Sequence, residues 1–237
     1  MSSRPLLPNL KAEKDAMDDK HLNLTLRICS SLILIPLVLL AIYSTEIVFS
    51  LSVTLIAGLM AMEWHGLVKQ HRSHKVAWWA AGSIYVLVFA GSLVKLRYLP
   101  GGSGILLWLL VTVWTADTAA FICGLTFGGT KLAPKISPAK TWSGFCGALL
   151  ASVGVGVLLS QYMHVHHDLI FIFVTAGLGV ISQASDLLES WIKRKAGIKD
   201  SGSFIPGHGG ILDRTDSLVL TAPALLLLLM LFKDFLI

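Results

Sequence analysis

The sequence predicts an all-α, polytopic membrane protein with about seven transmembrane helices and a cytoplasmic N-terminus. Composition is the first reason: 54% of the residues are hydrophobic and the mean hydropathy is +0.73, well above a globular balance. The second is that the apolar residues are gathered into runs near the ~20 residues a helix needs to cross a bilayer. The third is where the basic residues fall. With the N-terminus inside, segments 1–27, 67–75, 125–143 and 192–215 hold 16 of the 19 Lys and Arg residues, the positive-inside pattern. The outer side keeps only Lys95, Arg97 and Lys233. The net charge of +5 is thus spread over several short loops and points to membrane topology, with no nucleic acid as partner.

In chain order, residues 1–25 form a polar leader with Pro5, Pro8 and mixed charges. It does not read as a cleavable signal peptide, because it is polar and the first apolar run ends in Tyr43-Ser-Thr-Glu, without a small-x-small cleavage site. Seven apolar segments follow, at about 26–43, 47–66, 76–95, 105–124, 144–162, 168–191 and 216–235. Pro36 lies within the first, where a bundle tolerates a kink. Glu63-Trp64-His65 closes the second and reads as an interfacial anchor, with Trp64 at headgroup level. Gly124 and Gly128 have the small-xxx-small spacing that lets helices approach. Residues 26–104 make an N-terminal set of transmembrane helices. Residues 105–237 make a catalytic region with cytoplasmic loops 125–143 and 192–215. Cys29, Cys123 and Cys146 have no metal-ligand spacing and read as small buried apolar residues. The outer stretch Met163-His-Val-His-His-Asp offers metal-type ligands, but such short clusters are ordinarily exposed loop.

Charge is concentrated where an apolar protein can least hold it. Ten of the charged residues fall between Asp186 and Asp216, flanked by two apolar runs. An ionised side chain at a bilayer centre costs roughly 2.5–3.5 kcal/mol even on the lenient scale, so this cluster sits near an interface, pairs internally or binds a polar ligand. Gln183, Asp186, Glu189, Ser190 and Lys193 share one helix face at the end of the sixth segment. Asp213 and Asp216 stand at i, i+3 at the start of the seventh, with Arg214 between them. Carboxylates from two helices at one membrane depth suit Mg²⁺, which takes a few carboxylates plus substrate phosphate oxygens. Lys193, Arg194, Lys199 and Arg214 are suited to neutralise a triphosphate. Between them, Pro206-Gly-His-Gly-Gly is a flexible turn whose amides suit an anion. Asp117 is an intramembrane carboxylate and a functional candidate, or else the partner of a neighbouring helix's Arg or Lys. Ser137-Pro138 reads as a helix start, which places Lys140 and Thr141 in a first turn able to attract phosphate. No P-loop is present in the sequence.

On these residues the sequence resembles the phosphatidate cytidylyltransferase (CDP-diacylglycerol synthase) family. The stretch from Ser190 to Asp216 resembles the whole family signature: Ser, a Lys-Arg pair, Lys-Asp, then His-Gly-Gly-x-x-Asp-Arg-x-Asp. Ser182-Gln-Ala-Ser-Asp-Leu-Leu-Glu-Ser and Lys131-Leu-Ala-Pro-Lys-Ile-Ser-Pro-Ala-Lys-Thr-Trp resemble further family blocks. Departures are Ser143 where members commonly have Glu, Ser185 where they have Gly, and Phe121 where Tyr is usual. The N-terminal half also looks shorter than in many members.

The resemblance implies an enzyme of the bacterial cytoplasmic (inner) membrane, its site facing the cytoplasm, that uses CTP and phosphatidate to make CDP-diacylglycerol and pyrophosphate. By position, Asp186 and Asp213 resemble the metal carboxylates, supported by Asp216, with Mg²⁺ as the cofactor and a second metal or a monovalent cation left open. Ser190, Lys193, Arg194, Lys199, His208, Gly209, Gly210 and Arg214 fall on nucleotide and phosphate positions, with Asp117, Lys140, Thr141 and Glu189 completing the expected substrate site. A homodimer is also left open. Two rivals stand beside this reading: a CTP-dependent lipid kinase, and a small transporter or lipid-binding scaffold with Asp117 and Asp186 as coupling carboxylates. The transferase reading requires Asp186 and Asp213 on the same side of the bilayer.

Overall fold

A computed structural model describes residues 32–70, 74–163, 168–198, 201–202 and 209–232. The expected leader, Cys29, His164, His166, His167, Lys199 and His208 lie outside the described residues. Within the described residues, all seven apolar segments are helical. Among the described residues five helices are long and apolar enough to cross a membrane: α2 (Glu46–Gln70), α3 (Lys75–Arg97), α4 (Gly102–Phe127), α5 (Trp142–Met163) and α6 (Asp168–Lys195). The first and last, α1 (Leu32–Tyr43) and α8 (Leu218–Leu231), are shorter, and the four-residue α7 (Leu212–Thr215) precedes α8. The chain is thus an all-α polytopic membrane protein, with a small sheet among the described residues. β1 (Lys131–Ala133) and β2 (Ser137–Thr141) form an antiparallel hairpin between α4 and α5.

That hairpin corrects the expected helix start at Ser137. The residue before a proline is pushed out of the helical region, so Ala133 and Ser137, each followed by proline, favour extended backbone. Ala133 and Ser137 are paired in the hairpin, as are Lys131 and Thr141. The helix begins later, where the Gly144 amide donates to Thr141 Oγ1 at 3.1 Å, the N-cap bond that Ser137 was expected to make. Lys140 therefore lies in a strand, outside any helical first turn.

Small residues set the helix spacing. A Cβ at Gly147 would lie 2.6 Å from Cys123 Sγ, and one at Gly144 would lie 2.7 Å from the Ala120 carbonyl oxygen, so α4 and α5 touch backbone to backbone. The close approach of α4 is thus made through Gly124, which faces Thr141 and Gly144, whereas Gly128 ends the helix at positive φ. Between α4 and α6, Trp108 stacks on Phe171 and donates to Thr175 Oγ1 at 3.0 Å. Trp64 is buried between helices, with no exposed face to serve as a lipid anchor: it lies against Gly82 and donates to the Trp78 carbonyl at 2.8 Å. Cys146 is exposed and Cys123 half-buried, so the buried reading of the cysteines does not hold for Cys146.

The two ends of the bundle differ. At one end Arg97 donates to the Ser44 carbonyl at 2.7 Å and faces Glu46 at 3.7 Å, while Ser103 donates to the Ile42 carbonyl. At the other end the hairpin, the end of α6 and α7 come together. The positive-inside reading placed those loops on one side, and Arg97 on the opposite side.

Candidate active site

The site is built on the last turns of α6. This helix runs through Lys195, its three terminal basic residues favoured by the negative end of the helix dipole. Gly197 stops it at φ +76, a left-handed residue at the position where glycine commonly closes a helix, with Ile198 N donating to the Lys193 carbonyl. The expected face from Gln183 to Lys193 is present, and Gln183, Asp186, Glu189 and Lys193 each meet a different element. Gln183 donates to Asp117 Oδ1 on α4 at 2.9 Å. Asp186 pairs with Lys140 of the hairpin at 2.7 Å and accepts from Ser190 at 3.3 Å. Glu189, buried, accepts from Tyr85 of α3 at 3.3 Å. Lys193 lies 3.2 Å from Glu189 and 2.6 Å from Asp213, joining α6 to α7.

Asp213 is held by three donors. Besides Lys193 at Oδ1, the Ser201 and Gly210 amides donate to Oδ2 at 3.1 and 3.0 Å. Burial alone would raise this carboxyl. The Lys193 and backbone hydrogen bonds outweigh burial and hold it below its ordinary value. Gly209 turns at φ +79, and a Cβ there would sit 3.0 Å from Asp213 Oδ2. The Gly210 amide expected to await an anion thus faces a carboxylate of its own chain. Asp216 accepts from the Ser217 amide through its side chain at 2.8 Å, and its carbonyl accepts from the Ser185 hydroxyl. Ser185 Oγ also accepts from Leu220 N at 3.1 Å, so this departure from the family pattern ties α6 to the α7–α8 junction.

Asp117, Asp186 and Asp216 lie close enough for their charges to repel one another, with Lys140 also acting on Asp117. Asp117 accepts from the Gln183 amide across the α4–α6 contact, with the Lys140 charge nearby. The mutual repulsion and oxygen-only donor chemistry fit Mg²⁺, which takes one or two carboxylates plus substrate oxygens. Among the described residues no three His, Cys, Asp or Glu side chains form a ready cage. Asp186 and Asp213 are at the same end of the bundle, each engaged by its own lysine.

Other expected residues are less central. Arg194 donates to the Ile136 carbonyl in the hairpin turn and to the Ile198 carbonyl, so it braces loops. Thr141 is buried as the N-cap of α5, within 3.0 Å of Ser143 Oγ. Arg214 is exposed on α7. Two residues were missed. Tyr85 gives no signal in a strongly apolar helix. Glu63 did give one: it is a carboxylate at the end of an apolar run, and such residues are functional candidates by default. It accepts from Ile211 N at 2.8 Å, Leu212 N at 2.9 Å and Ser201 Oγ at 3.2 Å.

An apolar helical bundle with interleaved carboxylates and lysines at one mouth defines a class: integral membrane proteins whose polar chemistry is confined to one end. The sequence profile described as the cytidylyltransferase family matches residues 72–232, and the chain belongs to that family, a family of nucleotidyltransferases. The chain is 38% identical over 218 residues to a phosphatidate cytidylyltransferase of Rickettsia bellii (strain RML369-C), covering 89% of this chain and 92% of that one. A phosphatidate cytidylyltransferase of Rickettsia felis (strain ATCC VR-1525 / URRWXCal2) is 37% identical over 222 residues, 91% of this chain and 96% of its own. One from Brucella suis biovar 1 (strain 1330) is 42% identical over 169 residues, 71% of this chain and 62% of its own.

Proposed function

We propose that this protein is a CTP:phosphatidate cytidylyltransferase serving phospholipid synthesis. The reading is carried by near-full-length similarity to phosphatidate cytidylyltransferases, with Asp186 paired to Lys140 and Lys193 paired to Asp213 at one mouth of the bundle. A phosphate oxygen of phosphatidate attacks the α-phosphorus of CTP. A new phosphorus–oxygen bond forms, the bond from the α-phosphorus to the oxygen leading to the β-phosphorus breaks, and its electron pair leaves with pyrophosphate. The nucleophile is already anionic near neutral pH, so no strong base is needed. The obstacle is repulsion between two anions, which favours a site that gathers cations and aligns the partners.

Lys193 and Arg214 are assigned to the reacting phosphates. Lys140, Thr141, Ser190, Arg194, Lys199, His208, Gly209 and Gly210 are assigned to substrate binding beside Asp117 and Glu189. Asp186 and Asp213, supported by Asp216, would hold Mg²⁺, which when bound supplies charge neutralisation at the phosphates. CTP enters from the cytoplasm, and the lipid enters sideways from the inner leaflet of the bacterial cytoplasmic membrane. Purified protein with phosphatidate, CTP and Mg²⁺ is expected to release pyrophosphate and form a CMP-bearing lipid. CDP release would instead identify a lipid kinase, and lipid binding or transport without CTP consumption a scaffold or carrier.

A further inference from the structure

We infer that Glu63, at the inner end of α2, is a positioning residue that aims Asp213 by fixing the two backbone segments whose amides hold it. The inference deepens the cytidylyltransferase reading and rests on it for its kinetic consequence. Glu63 lies before the stretch matched by the family profile, which starts at residue 72, on α2, whose Met60 and Trp64 also reach Thr215 of α7 and Tyr85.

The Glu63 side chain is only 4% exposed, and both of its oxygens are used. Oε1 accepts from Ile211 N, and Oε2 accepts from Leu212 N and the Ser201 hydroxyl. The chain wraps the carboxylate so closely that no side chain fits at two points. A Cβ at Gly202 would lie 2.7 Å from Oε1, and one at Gly210 would lie 2.6 Å from Oε2. Segments 201–202 and 210–212, separated by seven residues in the chain, are therefore clasped to one acceptor. The same residues then hold Asp213. Ser201 gives its hydroxyl to Glu63 and its amide to Asp213, while Gly210 packs on Glu63 and gives its amide to Asp213.

The two carboxylates thus share one strip of backbone, and a change at Glu63 displaces two of the three donors on Asp213. Glutamine at this position keeps the shape, but replaces one acceptor oxygen with an NH₂ that faces another donor. A buried donor left without its acceptor is costly, so the strip must rearrange. Because the effect passes through Asp213 and not through substrate, it belongs in turnover more than in substrate affinity.

The test uses the full chain in detergent. Glu63→Gln is expected to lower kcat by about tenfold or more while KM for CTP and for phosphatidate stays within about threefold. In parallel, hydrogen exchange read by mass spectrometry should quicken across residues 201–216 and stay at wild-type rates in α3 to α5. Turnover within about twofold of wild type, or unchanged exchange at 201–216, overturns the inference. So does faster exchange throughout the bundle, which would mark Glu63 as a general structural support. If Glu63→Gln does not insert, Ser201→Ala removes one of the three donors to Glu63 and is expected to shift the same two readouts in the same direction. Wild-type values there overturn the inference. The exchange measurement decides the positioning whatever the substrate, so absent CMP transfer by wild-type protein would defeat the functional reading alone.

Discussion

Lys193 holds two carboxylates at once, Glu189 on its own helix and Asp213 on α7. Removing it leaves Glu189 buried beside Tyr85 with no cation. Breaking a buried pair from one side costs about 3–5 kcal/mol, so Lys193→Met should lower thermal stability clearly as well as abolish turnover. A variant as stable as wild type would contradict the pairing. Asp213→Asn tests the other partner: turnover should fall at least about 100-fold while the protein still inserts. Its effect on pH dependence has a definite sign. A carboxyl held below its ordinary value of about 3.9 contributes stability that is complete above that pH and is lost as pH falls through the folded value. Thermal unfolding of wild type should weaken below about pH 4, and Asp213→Asn should flatten that slope. At this scale the sequence was informative for one face and blind to its partners. The i, i+3, i+4, i+7 spacing of Asp186, Glu189, Ser190 and Lys193 follows from helical geometry alone. Tyr85 and Glu63 reach the site from distant helices, and no local spacing records that.

Among the elements, α5 shows how a right set of residues can carry a wrong boundary. Ser-Pro is a sound helix start in isolation, but pairing with Lys131–Ala133 recruits Ser137–Thr141 into a strand, and Thr141 takes over the cap. Long-range pairing decided the outcome, so local propensity could not. The face that α5 turns to α4 has no room for larger side chains. Gly147→Val would push against Cys123 and the Ala119 carbonyl and should separate the two helices. Overpacking of this kind typically costs about 1–3 kcal/mol, read as a lower unfolding midpoint in detergent. Gly154→Ala is the control, since nothing lies within 4 Å of a Cβ there. Equal stability of the two variants would refute the close contact.

For the whole molecule, hydropathy was enough to locate the apolar helices, because it follows from the bilayer alone, while the loop charges carry an expectation of sidedness that labelling can test. They do not say which helices are short, and α8 is helical over only 14 residues. A cysteine at Lys131, in a cysteine-free background, should react with an impermeant reagent from the cytoplasmic side of oriented vesicles. One at Ser103 should react from the opposite side. Labelling of both from one side would overturn the topology.

The lysines that a triphosphate would need are already engaged, Lys140 with Asp186, and Lys193 with Glu189 and Asp213. If those lysines take the phosphates as proposed, nucleotide entry would be an ion exchange within the protein, in which an incoming oxyanion displaces a resident carboxylate as it takes each ammonium. Few counterions leave for bulk solution in such a swap. CTP affinity measured from low to high ionic strength should fall more gently than the count of contacting lysines suggests.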